Sequence, residues 1–110
     1  MKKRIYIDFD GVLNNYNGWK SNSEFFEPKS GVKEFLKKLS QSYEIYIFTA
    51  RNPRSVEMWL DKYNMLHYVS HITNTKEPAY AYIDDRAIKF DGNYSHLLVD
   101  LENFKPYWKK

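Results

Sequence analysis

The chain has 110 residues, a length typical of one domain, and it contains no cysteine, which excludes disulfide bonds and thiolate metal sites. Its formal net charge of +3 favours an anionic substrate but is too weak to indicate nucleic acid by itself. Acidic residues interrupt the first apolar run and no run reaches the length of a membrane span, so we expect a soluble cytoplasmic protein without membrane association.

The first predicted element is a strand over residues 3–8 that ends in an acidic turn. Residues i and i+2 of a strand point to the same side, so Asp8 and Asp10 should emerge together where the strand ends. Gly11 allows the backbone to turn sharply there. Two carboxylates this close repel each other unless a cation or a proton joins them. The pair is therefore a candidate site, although Asp-Gly is also common in ordinary turns.

Polar residues dominate positions 12–29, which we interpret as a loop or small flap. Ser30 is a candidate N-cap for a helix over residues 31–41. The apolar residues of that helix recur at i, i+3, i+4 and i+7, on one face: Val32, Phe35, Leu36 and Leu39.

The middle of the chain predicts a second strand and a second helix. The β-rich run at 44–48 leads directly to Thr49. Asn52, followed by proline at the first helical position, predicts the start of a helix over residues 53–63.

The rest of the chain should contain three short strands, a helix and a frayed tail. They are predicted, in order, at residues 68–73, 80–83, 87–90, 94–103 and 105–110. Too few residues separate the third and fourth strands for a helical crossover, so we expect a loop there.

Alternating strands and helices indicate an α/β domain with a mainly parallel sheet. In such sheets, sites form at the carboxyl ends of the strands. Three predicted strands end in polar residues suited to one site: Asp8 and Asp10, Thr49, and Asp84 and Asp85. Four clustered carboxylates need a compensating cation, and oxygen ligands suit Mg²⁺.

This donor set favours phosphate chemistry, because Mg²⁺ screens the approach of an anion. One carboxylate could then attack phosphorus, forming an aspartyl-phosphate. The carboxylate two residues later could protonate the leaving oxygen and afterwards activate water.

The motifs carry a family resemblance over residues 4–92. The segments DFDGVL, IFTAR and YIDDRA resemble motifs I, II and IV of the haloacid dehalogenase superfamily, and Lys76 in TKEPAYAYIDD stands where small members carry motif III. The resemblance implies a single domain over residues 1–110, with a three-layer Rossmann-like fold and strand order 5-4-1-2-3. It also implies Mg²⁺-dependent hydrolysis of phosphate monoesters.

The resemblance also implies residue roles. Asp8 resembles the nucleophile, and Asp10 the general acid/base. Thr49 would hydrogen-bond the transferring phosphoryl group, and Lys76 would neutralise charge on the nucleophile and the phosphate.

Metal and substrate ligands follow in the same way. The implied metal ligands are Asp8, Asp10 through its backbone carbonyl, Asp85, and Asp84 directly or through water. Residues of motifs II and IV are candidates for substrate binding: Thr49, Ala50, Arg51 and Arg86. For the two arginines, a structural ion pair or surface solvation is the alternative.

The chain has no room for a large cap, and so is similar to the capless phosphatases of bacteria and phages. An open site implies a large phosphorylated substrate such as a nucleic-acid end or phosphoprotein, a second subunit covering the site, or loose acceptance of small esters. Trp19 and Lys20, in the flap, could contact a nucleotide.

Two other functions remain open. One is a phospho-acceptor module similar to receiver domains, which also combine acidic residues, a threonine and a lysine around Mg²⁺. The other is a nucleic-acid-binding module with a vestigial metal site, in which the basic and aromatic tail at 107–110 contacts the strand.

Overall fold

A computed structural model describes residues 2–18 and 25–109 of the chain. Strands and helices alternate along this part of the molecule, except that the last two strands follow one another without a helix between them. They are β1 (Lys3–Asp8), α1 (Val32–Ser40), β2 (Tyr43–Phe48), α2 (Pro53–Lys62), a one-turn 3-10 helix (Leu66–Tyr68), β3 (His71–Thr73), β4 (Ala81–Ile83) and α3 (Tyr94–Glu102). Trp19 and Lys20 lie outside the described residues, so the structure does not place the predicted nucleotide contact of the flap.

The strands form one parallel sheet in the order β3-β2-β1-β4. Asp8 is in register with Phe48, and Phe48 with Thr73, so β1, β2 and β3 end at the same level. Ile7 is in register with Ile83, which puts the residue after β4 level with Asp8. The sheet confirms the predicted α/β Rossmann-like fold and the 4-1-2-3 part of the predicted strand order.

The prediction of a fifth strand at residues 87–90 is wrong: this segment has no regular secondary structure. The chain leaves β4 through a turn in which the Arg86 N–H donates to Asp84 Oδ1 at 2.8 Å. It then enters the cap of α3, where Asn93 Oδ1 accepts from the His96 N–H at 3.0 Å. The strand propensity of these four residues does not suffice to form a strand, because the polar contacts before and after them direct the backbone away from the sheet.

Helices α1 and α2 cover one face of the sheet, because both carry an apolar stripe at helical spacing. The side chains that meet in this core are Ile5, Ile7, Ile45 and Ile47 from the strands, and Val32, Leu36, Val56, Trp59 and Leu60 from the helices. Asn52 caps α2 as predicted, accepting from the Arg54 N–H at 2.9 Å. Helix α1 departs from expectation: its N-cap is Gly31, with φ of 83°, and not Ser30.

Tyrosines line the opposite face of the sheet. Tyr6 stacks on Tyr82 with ring centroids 5.6 Å apart, and it meets Tyr46 edge-on at 5.4 Å. The segment between β3 and β4 is a loop, as predicted, and it crosses this face: the Glu77 N–H donates to Tyr6 Oη at 3.2 Å.

Two further elements complete the described chain. The third strand begins at His71 and not at residue 68, because Leu66–Tyr68 form the 3-10 helix. Helix α3 buries none of its residues. None of the helices in the described ranges has the length and apolarity needed to cross a bilayer.

Candidate active site at the carboxyl ends of β1, β2 and β4

Three carboxylates meet where β1 and β4 end. Asp8 is the last residue of β1, and Asp84 and Asp85 directly follow β4. One oxygen from each of these side chains lies within 4.8 Å of one from each of the others. The register of the parallel strands brings them together, because Asp8 and Asp84 follow paired residues of neighbouring strands. We call these three residues the acidic trio.

Burial and the clustering of the three carboxylates together raise the pKa of Asp8. Its pKa is raised from 3.8 to about 8, first by partial burial and then by the negative charges of Asp84 and Asp85. A hydrogen bond with Asp85 and the charge of Asp10 raise the pKa further. In the absence of a cation, Asp8 therefore holds a proton at neutral pH.

A glycine allows the first loop to approach the trio. Gly11 has φ of 89°, a left-handed conformation that strains other residues. A Cβ atom on residue 11 would overlap Asp85 Oδ2. Gly11 therefore allows the turn after β1, and it also allows this loop to lie close to Asp85 in the loop after β4.

The trio fits a hard divalent cation. All its donors are carboxylate oxygens, the ligands that Mg²⁺ prefers. Asp85 Oδ1 is buried and has no hydrogen-bond partner among the described residues. A buried acceptor without a partner is costly, and a metal ion would satisfy it.

The carboxylate of Asp10 lies outside the trio and has two other partners. Its Oδ2 accepts from Arg51 Nε at 2.8 Å, and its Oδ1 accepts from Asn14 Nδ2 at 3.0 Å. The Arg51 side chain is fully buried, and its guanidinium lies over the Phe25 ring at 4.5 Å. Arg51 was a predicted substrate ligand, but the structure places it in the ion pair that was the alternative interpretation.

Thr49 and Ala50 follow β2. Thr49 is buried, and its N–H donates to the Thr73 carbonyl at 3.0 Å. Its hydroxyl oxygen accepts from the Arg51 N–H at 2.9 Å, which fixes the hydroxyl at the end of the strand. Ala50 is exposed.

Lys76 reaches the rim of the trio from the loop between β3 and β4. Its Nζ lies 3.5 Å from Asp84 Oδ2. The ammonium also sits over the ring of Phe48 at 4.6 Å and near that of Tyr82 at 5.8 Å. These aromatic faces support a cation next to the carboxylates.

The C-terminal tail contacts the site, in contrast to the frayed end expected from the sequence. Trp108 Nε1 donates to Asp85 Oδ2, and the Tyr107 hydroxyl donates to the Gly11 carbonyl. The Arg86 guanidinium lies 5.1 Å from the Trp108 ring centroid. Tyr107 and Trp108 anchor the tail because each combines an aromatic ring with a hydrogen-bond donor. The mixture of lysines and aromatic residues in the sequence of the tail does not by itself predict that the tail is anchored.

Sequence reasoning missed one buried polar residue altogether. Asn14 is fully buried, and its Oδ1 accepts from the Gly11 N–H at 3.0 Å while its Nδ2 donates to Asp10. Asparagine side chains commonly close loops of this kind by bonding nearby backbone. Its position four residues after Asp10 was the signal that could have identified it.

An open pocket of about 440 Å³ adjoins the trio. Its lining includes Asp84 and Asp85 of the trio, together with Lys29 and Tyr107. The Lys29 ammonium lies over the Tyr107 ring at 4.8 Å. A negatively charged group entering this pocket meets a cation and an aromatic ring beside the acidic trio.

Comparisons with known proteins agree with this geometry. A structure described as a conserved protein coded by a locus from Bacteroides thetaiotaomicron is similar to this chain, with a TM-score of 0.61 and 16% sequence identity over 99% of this chain and 97% of that one. That likeness supports the fold alone. No curated protein sequence gave a significant match. The family model described as NLI interacting factor-like phosphatase matches residues 7–94, which include the acidic trio, Asp10, Thr49 and Lys76.

This match confirms the resemblance to the haloacid dehalogenase superfamily that the motifs indicated. It covers most of the chain, from the end of β1 to the start of α3. The chain therefore belongs to the family of NLI interacting factor-like phosphatases.

Proposed function

We propose that this protein is a Mg²⁺-dependent phosphomonoester hydrolase that works through a phosphorylated Asp8. The observation that carries the proposal is the acidic trio: three carboxylates from two neighbouring strands, one of them with a strongly raised pKa. Strongly perturbed carboxylates in an open cleft are typical of catalytic sites. Membership of a phosphatase family supports the same reaction class.

Asp8, Asp84 and Asp85 would hold the cation, with the backbone carbonyl of Asp10 as a further ligand. When bound, Mg²⁺ would lower the pKa of Asp8 and neutralise charge on the phosphate. Asp85 Oδ1, buried without a partner among the described residues, supports direct ligation by this residue.

In the first half of the reaction, a carboxylate oxygen of Asp8 attacks phosphorus and the phosphorus–oxygen ester bond breaks. Asp10, which is paired with Arg51 in the resting site, first takes up a proton from solvent and then delivers it to the leaving oxygen, so that the product alcohol departs neutral. The Thr49 hydroxyl donates a hydrogen bond to the phosphoryl group, and Lys76 offsets its negative charge. Arg86 and the backbone of Ala50 contact the rest of the substrate.

In the second half, Asp10 takes a proton from water as the water oxygen attacks the phosphorus of the aspartyl-phosphate. The bond between the Asp8 carboxylate oxygen and phosphorus breaks, and inorganic phosphate leaves. Asp10 then releases its proton to solvent, and both carboxylates return to their starting states. Arg51 and Asn14 act as positioning residues, since each holds one oxygen of Asp10.

The test is turnover of p-nitrophenyl phosphate with Mg²⁺ by the wild-type protein and Asp8→Asn. We expect a loss of at least about 10³-fold, because the variant lacks the nucleophile. Asp61→Asn is the matched control, since Asp61 is an exposed aspartate on α2, and it should retain wild-type turnover.

The intermediate can be sought directly. Brief incubation with substrate followed by acid quenching should give a protein heavier by one phosphoryl group, and hydroxylamine should remove it. Wild-type turnover by Asp8→Asn, or a phosphoryl group on a residue other than Asp8, would refute the assignment.

A further inference from the structure

The C-terminal tail forms a second pocket beside the active site. It has a volume of about 480 Å³ and is lined by Arg86, Phe104, Lys105, Pro106 and Lys109. Three of these five residues are cations, and none is acidic. We call this the cationic pocket. A concave site with three positive charges and no lining carboxylate favours an anion.

The backbone of the tail, which carries two of these cations, is anchored next to the site. Pro106 is buried, and the Lys109 N–H donates to its carbonyl at 2.9 Å. Tyr107 and Trp108, between them, bond to Gly11 and Asp85. These contacts hold the backbone on either side of the anchors, so Lys105 and Lys109 project from a fixed stretch of chain next to the site.

The cationic pocket and the acidic trio are separated by one indole ring. Trp108 donates to Asp85 of the trio, and its ring lies 5.1 Å from the guanidinium of Arg86 in the pocket. The Arg86 backbone is tied to the trio as well, through its N–H to Asp84. Arg86 therefore adjoins the acidic trio through its backbone and lines the cationic pocket with its side chain.

An aromatic side chain near the trio favours a nucleotide as the molecule that would place one phosphate at Asp8 and another in the cationic pocket. Tyr107 is 47% exposed and lines the pocket next to the trio. Aromatic rings accompanied by cations are typical surfaces for nucleobases, which stack on them without strict sequence preference. Tyr107 with Lys29 provides such a surface.

We propose that the cationic pocket binds a second phosphate group of the substrate, so that the preferred substrates are nucleotides or nucleic-acid ends carrying a terminal phosphomonoester and a further phosphate. This inference deepens the proposed function and rests on it for the position of the first phosphate. It requires no group-transfer step beyond the hydrolysis at Asp8.

The first test measures binding without turnover. In the Asp8→Asn background with Mg²⁺, titration calorimetry gives the Kd of adenosine 3′,5′-bisphosphate and of the two adenosine monophosphates. We expect the bisphosphate to bind roughly tenfold tighter than either monophosphate, since two or three partly exposed cations meet the added phosphate. Equal Kd values for all three ligands would overturn the proposal.

Charge variants locate the effect. The double variant Lys105→Ala/Lys109→Ala should remove most of the preference for the bisphosphate. The control Lys33→Ala/Lys37→Ala changes the same number of charges on the exposed face of α1 and should keep it. An equal loss in both variants would show a general charge effect and refute the pocket.

Hydrolysis assays separate this inference from the proposed function. In the wild-type background, kcat/KM is compared for the bisphosphate, a 5′-phosphorylated dinucleotide, the monophosphates and a peptide with two phosphoserines. Hydrolysis of all esters with equal kcat/KM retains the proposed function and overturns the cationic pocket. If the bisphosphate binds more tightly than the monophosphates but no ester is hydrolysed, the cationic pocket stands and the proposed hydrolase function is refuted. A higher kcat/KM for the peptide than for both nucleotides overturns the nucleotide assignment.

Discussion

Removing the charge of Asp8 should change how the stability of the metal-free protein depends on pH. The folded pKa of about 8 exceeds the ordinary value of 3.8, so between these values the native state binds a proton that the unfolded state has released. The stabilising contribution is complete below pH 3.8 and is lost as the pH rises through 8. Asparagine has no charge to bury, so Asp8→Asn should lose no stability by this route.

The size of the effect follows from the shift. One pKa unit corresponds to about 1.4 kcal/mol, but Asp8 is partly exposed and solvent screens its charge, so we expect a loss of only about 2 kcal/mol between pH 4 and pH 9. For a domain of this size that is a difference of about 10 °C in Tm. Asp8→Asn should therefore match the wild type near pH 4 and exceed its Tm at pH 9.

The assay is thermal unfolding followed by circular dichroism from pH 4 to pH 9 in EDTA, with Asp61→Asn as the control. Repeating the series with Mg²⁺ should stabilise the wild type and reduce the advantage of Asp8→Asn, because a ligand of the folded state raises its stability by mass action. A Tm difference between Asp8→Asn and wild type that stays constant across the pH range would refute the electrostatic reasoning.

Two further substitutions test the loops around the site. Gly11→Ala should lower the free energy of unfolding by about 2–4 kcal/mol in denaturant melts, because it adds a clash with Asp85 to the strain of a left-handed residue. Gly92→Ala is the control, since Gly92 has a similar φ but open space around its Cβ position, and it should cost only about 1 kcal/mol. Arg51→Met should destabilise the fold by about 3 kcal/mol and lower kcat more than it raises KM, because it leaves Asp10 without its buried partner. Initial rates measured over a range of substrate concentrations separate kcat from KM. An unchanged kcat would contradict the positioning role of Arg51.

The elements that determine the site were predictable because their signals are local. The apolar spacing of α1 and α2 and the β-rich runs of β1 and β2 indicate these elements without knowledge of the rest of the chain. Parallel strands then place their carboxyl ends together as a matter of geometry, which is why Asp8, Thr49 and Asp84 could be assigned to one edge of the sheet.

Features that depend on distant partners were not predictable. Residues 87–90 have the composition of a strand, but a strand also needs a neighbour on the sheet edge, and the turn after β4 leads the backbone into the cap of α3. Tyr107 meets Gly11 across 96 positions of sequence, and Trp108 meets Asp85 across 23. No local pattern distinguishes these anchored aromatics from those of a solvated tail.

The division of the four carboxylates changes how their charge is balanced. The sequence suggested that one cation must compensate all of them, but the structure pairs Asp10 with the buried guanidinium of Arg51 and leaves the acidic trio as a separate group. Lys76 stands 3.5 Å from Asp84 and offsets part of the remaining charge. In the proposed complex with Mg²⁺, one divalent cation would balance the four carboxylates together with this guanidinium and this ammonium. The phosphate of the proposed substrate would then bring excess negative charge, which the cations lining the neighbouring pockets would attract.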